Sequence, residues 1–95
     1  MIRITDTTAT VKVDGHARRE VCAMVTALTM AFVQNITEET GKAPTYTVKD
    51  GYFFVDSAQF YKDNVPTGKL LMRCLQRNLK QLSMEYPNDI TYIQM

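Results

Sequence analysis

The dipeptide Asp50-Gly51, together with its flanks, constrains the fold of this 95-residue chain more than any other feature. Asp-Gly is favoured in two-residue type I′ turns, which join antiparallel strands. It stands between two runs of strand-forming residues, 45–49 and 52–55. The pattern predicts a β-hairpin, in which alternate side chains share one face of the sheet. The predicted core face of this hairpin consists of Tyr46, Val48, Phe53 and Val55.

Two long helices are predicted on either side of the hairpin, because apolar residues recur there at steps of three and four. The first spans residues 21–40 approximately, with Gly41 as its stop signal. The second starts at Pro66 and ends before Pro87, and the segment 57–65 ahead of it is predicted to be a loop. The apolar stripes are Val21, Val25, Leu28, Phe32 and Ile36 in the first helix, and Leu71, Leu75, Leu79, Leu82 and Tyr86 in the second.

Three further strands are predicted outside this central part. Apolar and polar residues alternate from Ile2 to Thr5 and again from Ala9 to Val13, and these two closely joined strands should form a hairpin. A last strand covers residues 90–94. The order is therefore ββαββαβ. It predicts an α+β fold in a single domain, residues 1–95, with two long helices on one face of a mainly antiparallel five-stranded sheet.

Composition excludes several classes of function. The net charge is only +1, whereas proteins that bind nucleic acid directly usually carry a clustered basic excess. The N-terminal residues lack the apolar core of a signal peptide, and the most apolar segment, 21–32, is too short to cross a bilayer. We therefore expect no nucleic-acid partner, no membrane partner and a cytoplasmic location.

Two cysteines and one histidine limit the chemistry further. The cysteines lie in different predicted elements and form no Cys-x-x-Cys pair, a pattern that favours neither a disulfide framework nor a zinc site. We predict no metal and no cofactor. Cys74 lies on the apolar stripe of the second helix, where the simplest interpretation is packing.

His16 and Cys22 stand at the junction between a predicted strand and the first predicted helix. A thiol becomes a good nucleophile only as the thiolate, which a nearby imidazole or a helix N-terminus stabilises. Five residues separate the pair, so the chain can fold back to bring them into contact but is not forced to. From spacing alone, the competing interpretation of Cys22 as an ordinary buried side chain stays open. The basic doublet Arg18-Arg19 is either a solvated loop or a contact for substrate beside the thiol.

A family resemblance gives this junction a function. Gly15-His16-Ala17, Val21-Cys22-Ala23 and 26–29 resemble the signature of the bacterial ribosomal-processing cysteine proteases, the Prp family. The later chain is similar in order, with Asp50-Gly51-Tyr52 in a hairpin and Met84-Glu85-Tyr86-Pro87 leading into the last strand. The resemblance covers nearly the whole chain. Compared with the family, the segment between His16 and Cys22 is shorter, and Arg19 stands where an aspartate is usual.

The resemblance implies a small cysteine endopeptidase that removes the N-terminal extension of a bacterial large-subunit ribosomal protein. It assigns catalysis to Cys22 and His16, and it implies a protein or peptide substrate and a homodimer. It also implies that Gly15, Ala17, Ala23 and Thr26 lie next to the substrate. Backbone N–H groups around Cys22 and Ala23 are the predicted oxyanion donors.

Two alternatives remain at this point. The shorter connection between His16 and Cys22 allows the helix to start early, at Arg18, and to carry the thiol past its first turn, where the stabilising helix dipole fades. The chain is then a catalytically silent Prp-like binding or structural module. Alternatively it is a divergent protease that acts on a viral or other protein substrate. For assembly, exposed aromatic residues at Tyr52, Phe54, Phe60 and Tyr61 are predicted to form a self-complementary surface.

Overall fold

A computed structural model describes all 95 residues of the chain. It contains five strands and three helices in the predicted order, with one short helix added. The strands are β1 (Ile2–Asp6), β2 (Thr10–Gly15), β3 (Thr45–Lys49), β4 (Tyr52–Asp56) and β5 (Ile90–Gln94). The helices are α1 (Arg19–Thr40), α2 (Ala58–Lys62) and α3 (Pro66–Glu85).

The strands form one sheet in the order β3-β4-β2-β1-β5. Every pairing is antiparallel except that of β1 with β5, which is parallel because α3 carries the chain back across the sheet. The β3–β4 hairpin has the register that its two-residue turn requires, with Lys49 opposite Tyr52 and Val48 opposite Phe53. The predicted α+β fold, with both long helices against the sheet, is confirmed.

One apolar core lies between the sheet and the helices α1 and α3. It combines alternate residues of the central strands, such as Ile4 and Val11, with the stripes of both helices, such as Ile36 and Leu79. All four of these side chains are completely buried. α1 is long and apolar enough to cross a membrane by length and composition, so the prediction that the apolar segment is too short does not hold for the whole helix. Here its apolar stripe packs in this core, and a core helix has the same composition as a membrane span.

The prediction for the core face of the β3–β4 hairpin is wrong for β3. Phe53 and Val55 of β4 are buried, whereas Tyr46 is 41% exposed and Val48 is 50% exposed. β3 is the edge strand of the sheet, and the helices cover the strands next to it but do not reach over it. The alternation of apolar and polar residues predicts the correct face for Tyr46 and Val48. Whether the helices cover that face depends on the width of the helical layer.

The segment 57–65, predicted as a loop, contains the short helix α2. Phe60 in this helix is buried against Gly68 of α3, where an added Cβ would come within 2.5 Å of the Phe60 ring. The prediction that Phe60 is an exposed aromatic is therefore wrong. The other three aromatics predicted to be exposed, Tyr52, Phe54 and Tyr61, are each partly buried.

Candidate active site

His16 follows the last residue of β2, the central strand of the sheet, and its backbone holds it at the end of that strand. Gly15 has a φ of +105°, a region that favours glycine, and a Cβ there would lie 2.3 Å from the carbonyl oxygen of Met1. The N-terminal ammonium of Met1 donates a hydrogen bond to the carbonyl of His16, with a length of 2.5 Å. The imidazole itself is open to solvent, with 62% of the side chain exposed.

Cys22 is the fourth residue of α1, which begins at Arg19, two residues earlier than predicted. The amides of Val21 and Cys22 both donate to the carbonyl of Arg18, at 3.0 Å each. The N–H of Cys22 is therefore occupied, so the predicted oxyanion donor at this position is wrong. The thiol remains at the end of the first helical turn, close to where the helix dipole has its effect.

The Cys22 thiol contacts both the N–H and the carbonyl group of Ala17. The Ala17 N–H donates to Sγ at 3.3 Å, and Sγ lies 3.4 Å from the Ala17 carbonyl oxygen, to which a thiol donates. The carbonyl stabilises the protonated sulfur, whereas the N–H stabilises the thiolate. The sulfur thus has a backbone partner in either protonation state, although no hydrogen bond joins it to the His16 ring in this structure.

The imidazole of His16 lies against the turn of the β3–β4 hairpin. Its Nε2 is 4.0 Å from Oδ2 of Asp50, an ion-pair distance rather than a hydrogen bond. The ring also lies directly over Gly51, where an added Cβ would come within 2.3 Å of Nε2. The turn therefore forms a wall beside the ring.

His16 and Cys22 open into one cleft of about 150 Å³ between α1 and the turn of the β3–β4 hairpin. Half of its lining is hydrophobic. The lining residues are Ile2, Val13, Gly15, His16, Cys22, Val25, Thr26, Thr29, Met30, Val48, Lys49, Asp50, Gly51 and Tyr52. A cleft with an apolar wall and a few convergent polar groups is the usual form of a small-ligand or peptide site.

The structure brings most of the predicted site residues together. Gly15 and Thr26 line the cleft with the proposed pair, whereas Ala17 does not line it but contacts the sulfur of Cys22 through its backbone. Ala23 does not line the cleft and is exposed on the outer side of α1. Its predicted place next to the substrate is therefore not seen.

The start of α1 is tied to the other end of the chain through Arg18. Its guanidinium donates to both carboxylate oxygens of Asp89, at 2.7 Å from Nη2 and at 3.2 and 3.3 Å from Nε. It also lies over the ring of Tyr86, 5.7 Å from the centroid. The hydrogen bonds to Asp89 raise the pKa of Arg18. Arg18 therefore anchors the helix that carries Cys22, and only Arg19 of the basic doublet is without such partners.

Sequence reasoning missed the contribution of the hairpin turn to the site. The local pattern marks Asp50 and Gly51 as turn residues, but nothing in it connects residue 51 with residue 16. The connection depends on the pairing of β2 with β4 and on one hydrogen bond, from the Gly15 N–H to the Gly51 carbonyl at 2.9 Å. The chain has no cluster of three or more His, Cys, Asp or Glu side chains that could hold a metal ion.

Comparison with known proteins identifies the family. The sequence pattern that defines the family described as cysteine protease Prp matches residues 1–91. The chain belongs to this family. No curated protein sequence gave a match.

Solved structures share the fold over the full length of the chain. One is the essential ribosomal processing protease Prp of S. aureus with a covalently linked product peptide, at 25% identity and a TM-score of 0.88, with both chains covered completely. Another is the same S. aureus protease with a substrate peptide, at 22% identity and a TM-score of 0.85, again with both chains covered completely. The protein SMU.848 of Streptococcus mutans has 22% identity and a TM-score of 0.88, covering all of this chain and 94% of its own. Membership of the Prp family supports a protease of this kind.

Proposed function

We propose that this chain is a cysteine endopeptidase in which Cys22 is the nucleophile and His16 is the general base and acid. One observation carries the proposal: the only histidine and a partly buried thiol at a helix N-terminus open into the same cleft. A nucleophile and a base that share a cleft are the minimum that thiol-dependent peptide cleavage requires.

The proposed reaction proceeds in two steps. His16 takes the proton from the Cys22 thiol, and the thiolate attacks the carbonyl carbon of the peptide bond. A carbon–sulfur bond forms, and the carbon–nitrogen bond breaks as the imidazolium returns its proton to the departing amine. Water then hydrolyses the thioester, which releases the new carboxyl end and restores the thiol.

We assign the backbone N–H of Ala17 to the negative charge of the thiolate. It points at Sγ from 3.3 Å, so it stabilises the thiolate before attack. The amide of Cys22 is engaged with the carbonyl of Arg18. The helix end adds its dipole to the same region.

We propose a ribosomal protein with an N-terminal extension as the substrate class. Support comes from the S. aureus protein at 25% identity, which is described as a ribosomal processing protease. The apolar part of the cleft wall, which includes Met30 and Val48, suits an apolar substrate side chain next to the cleaved bond. A viral or other protein substrate is the alternative, and cleavage of a candidate other than a ribosomal protein in the experiment below would favour a substrate of another kind.

Two further parts of the proposal concern the protein in its cell. We propose a bacterial cytoplasmic location, for which two free cysteines are typical. We propose a homodimer through the open face of the sheet, where Tyr52 and Phe54 stand on the side opposite to the helices. Light scattering should give twice the mass of one chain at tens of micromolar, and a monomer mass would contradict the dimer.

The test of the function is incubation with candidate bacterial proteins, including large-subunit ribosomal proteins with N-terminal extensions, followed by mass spectrometry. We expect cleavage at one site by the native chain and no cleavage by Cys22→Ala. Cys74→Ala is the matched control, because Cys74 is also a free, partly buried thiol but lies in the middle of α3. Cleavage of no candidate would favour a silent binding module, and equal loss in both variants would refute the assignment of Cys22.

A further inference from the structure

The turn of the β3–β4 hairpin has a feature that its role as a turn does not require. Gly51 has a φ of +69°, which the turn itself explains. The backbone of Gly51 is also in contact with the His16 ring, so that an added Cβ would lie 2.3 Å from Nε2, 2.9 Å from Cε1 and 3.0 Å from Cδ2. Three ring atoms at such distances mean that the imidazole lies along the turn.

This contact is held in place by the sheet. β2 and β4 pair in register up to Asp14 and Tyr52, and the Gly15 N–H donates to the Gly51 carbonyl one step further on. The turn and the residue before His16 therefore move together. An imidazole that is 62% exposed would otherwise be free to change rotamer, because few atoms surround it.

Gly51 limits the space beside the His16 ring, and Asp50 favours one orientation of it. Its carboxylate lies 4.0 Å from Nε2, so it attracts the charged imidazolium and favours the ring orientation in which Nε2 faces the turn. Nδ1 is then the nitrogen left to exchange a proton with the thiol. Both side chains are exposed, so this attraction is small and falls with added salt.

We propose that the Asp50-Gly51 turn positions the His16 imidazole for proton exchange with Cys22. Gly51 acts by leaving room for the ring, and Asp50 acts by orienting it. The inference deepens the proposed function and rests on it. Neither residue touches the reacting atoms, so both are positioning residues.

The first experiment compares Gly51→Ala with Gly41→Ala. Both glycines have a positive φ, +69° and +73°, so both substitutions strain the backbone in a similar way, but no atom lies within 4 Å of a Cβ at Gly41. The probe is the rate of alkylation by iodoacetamide, followed separately at Cys22 and Cys74 by mass spectrometry. We expect Gly51→Ala to slow the alkylation of Cys22 by about tenfold or more, because a displaced base no longer takes the thiol proton. We expect Cys74 and the Gly41→Ala protein to be unaffected.

A spectroscopic measurement separates this proposal from the proposed function. His16 is the only histidine, so its ring signals in a proton–carbon NMR spectrum are identified without further work. We expect magnetisation transfer between the ring protons and the Hα protons of Gly51 in the native chain, and a shift of the ring signals in Gly51→Ala but not in Gly41→Ala. Ring signals that stay unchanged in Gly51→Ala would overturn the proposal, whether or not the native chain cleaves a substrate.

Asp50 is tested by Asp50→Asn and Asp50→Glu. We expect Asp50→Asn to slow the alkylation of Cys22 by about two- to fivefold at low ionic strength and to have less effect in 0.5 M salt, roughly as expected for an exposed pair. Asp50→Glu should restore most of the rate. The same slowing in Asp50→Asn at both ionic strengths would contradict an electrostatic role for Asp50.

Discussion

The two ends of β1 carry two kinds of ionisable site. Beside Ile2, at the start of the strand, His16 and Cys22 open into a cleft that solvent can enter. At the other end, Asp6 is 1% exposed, accepts a hydrogen bond from the Tyr92 hydroxyl through Oδ2 and has no partner for Oδ1. Burial raises the pKa of Asp6 from 3.8 to about 6, although the bond from Tyr92 opposes this shift.

The comparison shows that a strongly shifted pKa does not by itself locate the active site. Shifted groups are good candidates when they also lie in a cleft. Asp6 does not line any cleft of this structure. Its partner Tyr92 borders an open cleft with Arg73, Arg77 and Lys80, but that cleft contains no cysteine, histidine or carboxylate, and the pKa of Tyr92 is raised chiefly because burial removes the hydroxyl from water. The proposed catalytic pair instead lies where substrate can reach it. Changes at the first end should therefore alter activity, and changes at the second should alter stability.

The largest expected effect is the loss of activity when the proposed catalytic pair is removed. Cys22→Ala, His16→Ala and the double variant should each lower kcat by roughly 10⁴-fold or more, because residues that act as one unit are not additive. Their melting temperatures should stay close to that of the native chain, because neither side chain is fully buried. Kinetics with a cleaved peptide substrate checks this. Near-native turnover by His16→Ala would show that another group is the base.

The next effect is on stability, at the other end of β1. Because the folded state binds the Asp6 proton more tightly than the unfolded chain does, the protonated form stabilises the fold at low pH. This stabilisation is lost as the pH rises from about 4 to about 6. Asp6→Asn imitates the protonated acid, so it should raise the free energy of unfolding at pH 7 by roughly 1 to 3 kcal/mol and change it little at pH 4.

Denaturant unfolding between pH 4 and pH 8 measures this difference. Asp14→Asn is the matched control, because Asp14 is an exposed aspartate in the neighbouring strand β2. The free energy of unfolding of Asp14→Asn should depend on pH in the same way as that of the native chain. An Asp6→Asn protein that is less stable than the native chain at pH 7 would mean that the carboxylate has a partner in solution. Loss of activity in this variant would break the distinction between the two ends.

The smallest effect is expected at the anchor of α1. Arg18→Ala removes the hydrogen bonds to Asp89 that fix the start of the helix, so the position of Cys22 becomes less well defined. We expect kcat to fall by about two- to fivefold, because small displacements of a nucleophile reduce the rate. Arg19→Ala is the control, since Arg19 makes no such bonds. Equal effects of the two substitutions would point to a role of positive charge in substrate binding.

Much of the fold could be predicted because its signals are local. The Asp50-Gly51 turn fixes the register of its own hairpin, and apolar residues at steps of three and four mark α1 and α3. The short helix α2 was missed because five residues are too few to show a helical period. The proposed pair was recognisable for another reason: it lies in a short motif that resembles a known family.

The elements, their order and the short distance along the chain between His16 and Cys22 follow from local patterns of residues. Which surfaces are covered and which distant residues meet depends on how the elements pack. Tyr46 and Val48 face the helices but are exposed, because α1 does not extend over the edge strand. Gly51 contacts His16 because β2 pairs with β4, and Asp6 is buried next to Tyr92 because β5 pairs with β1. The free energies of these contacts come from residues far apart in the chain, so no local pattern encodes them.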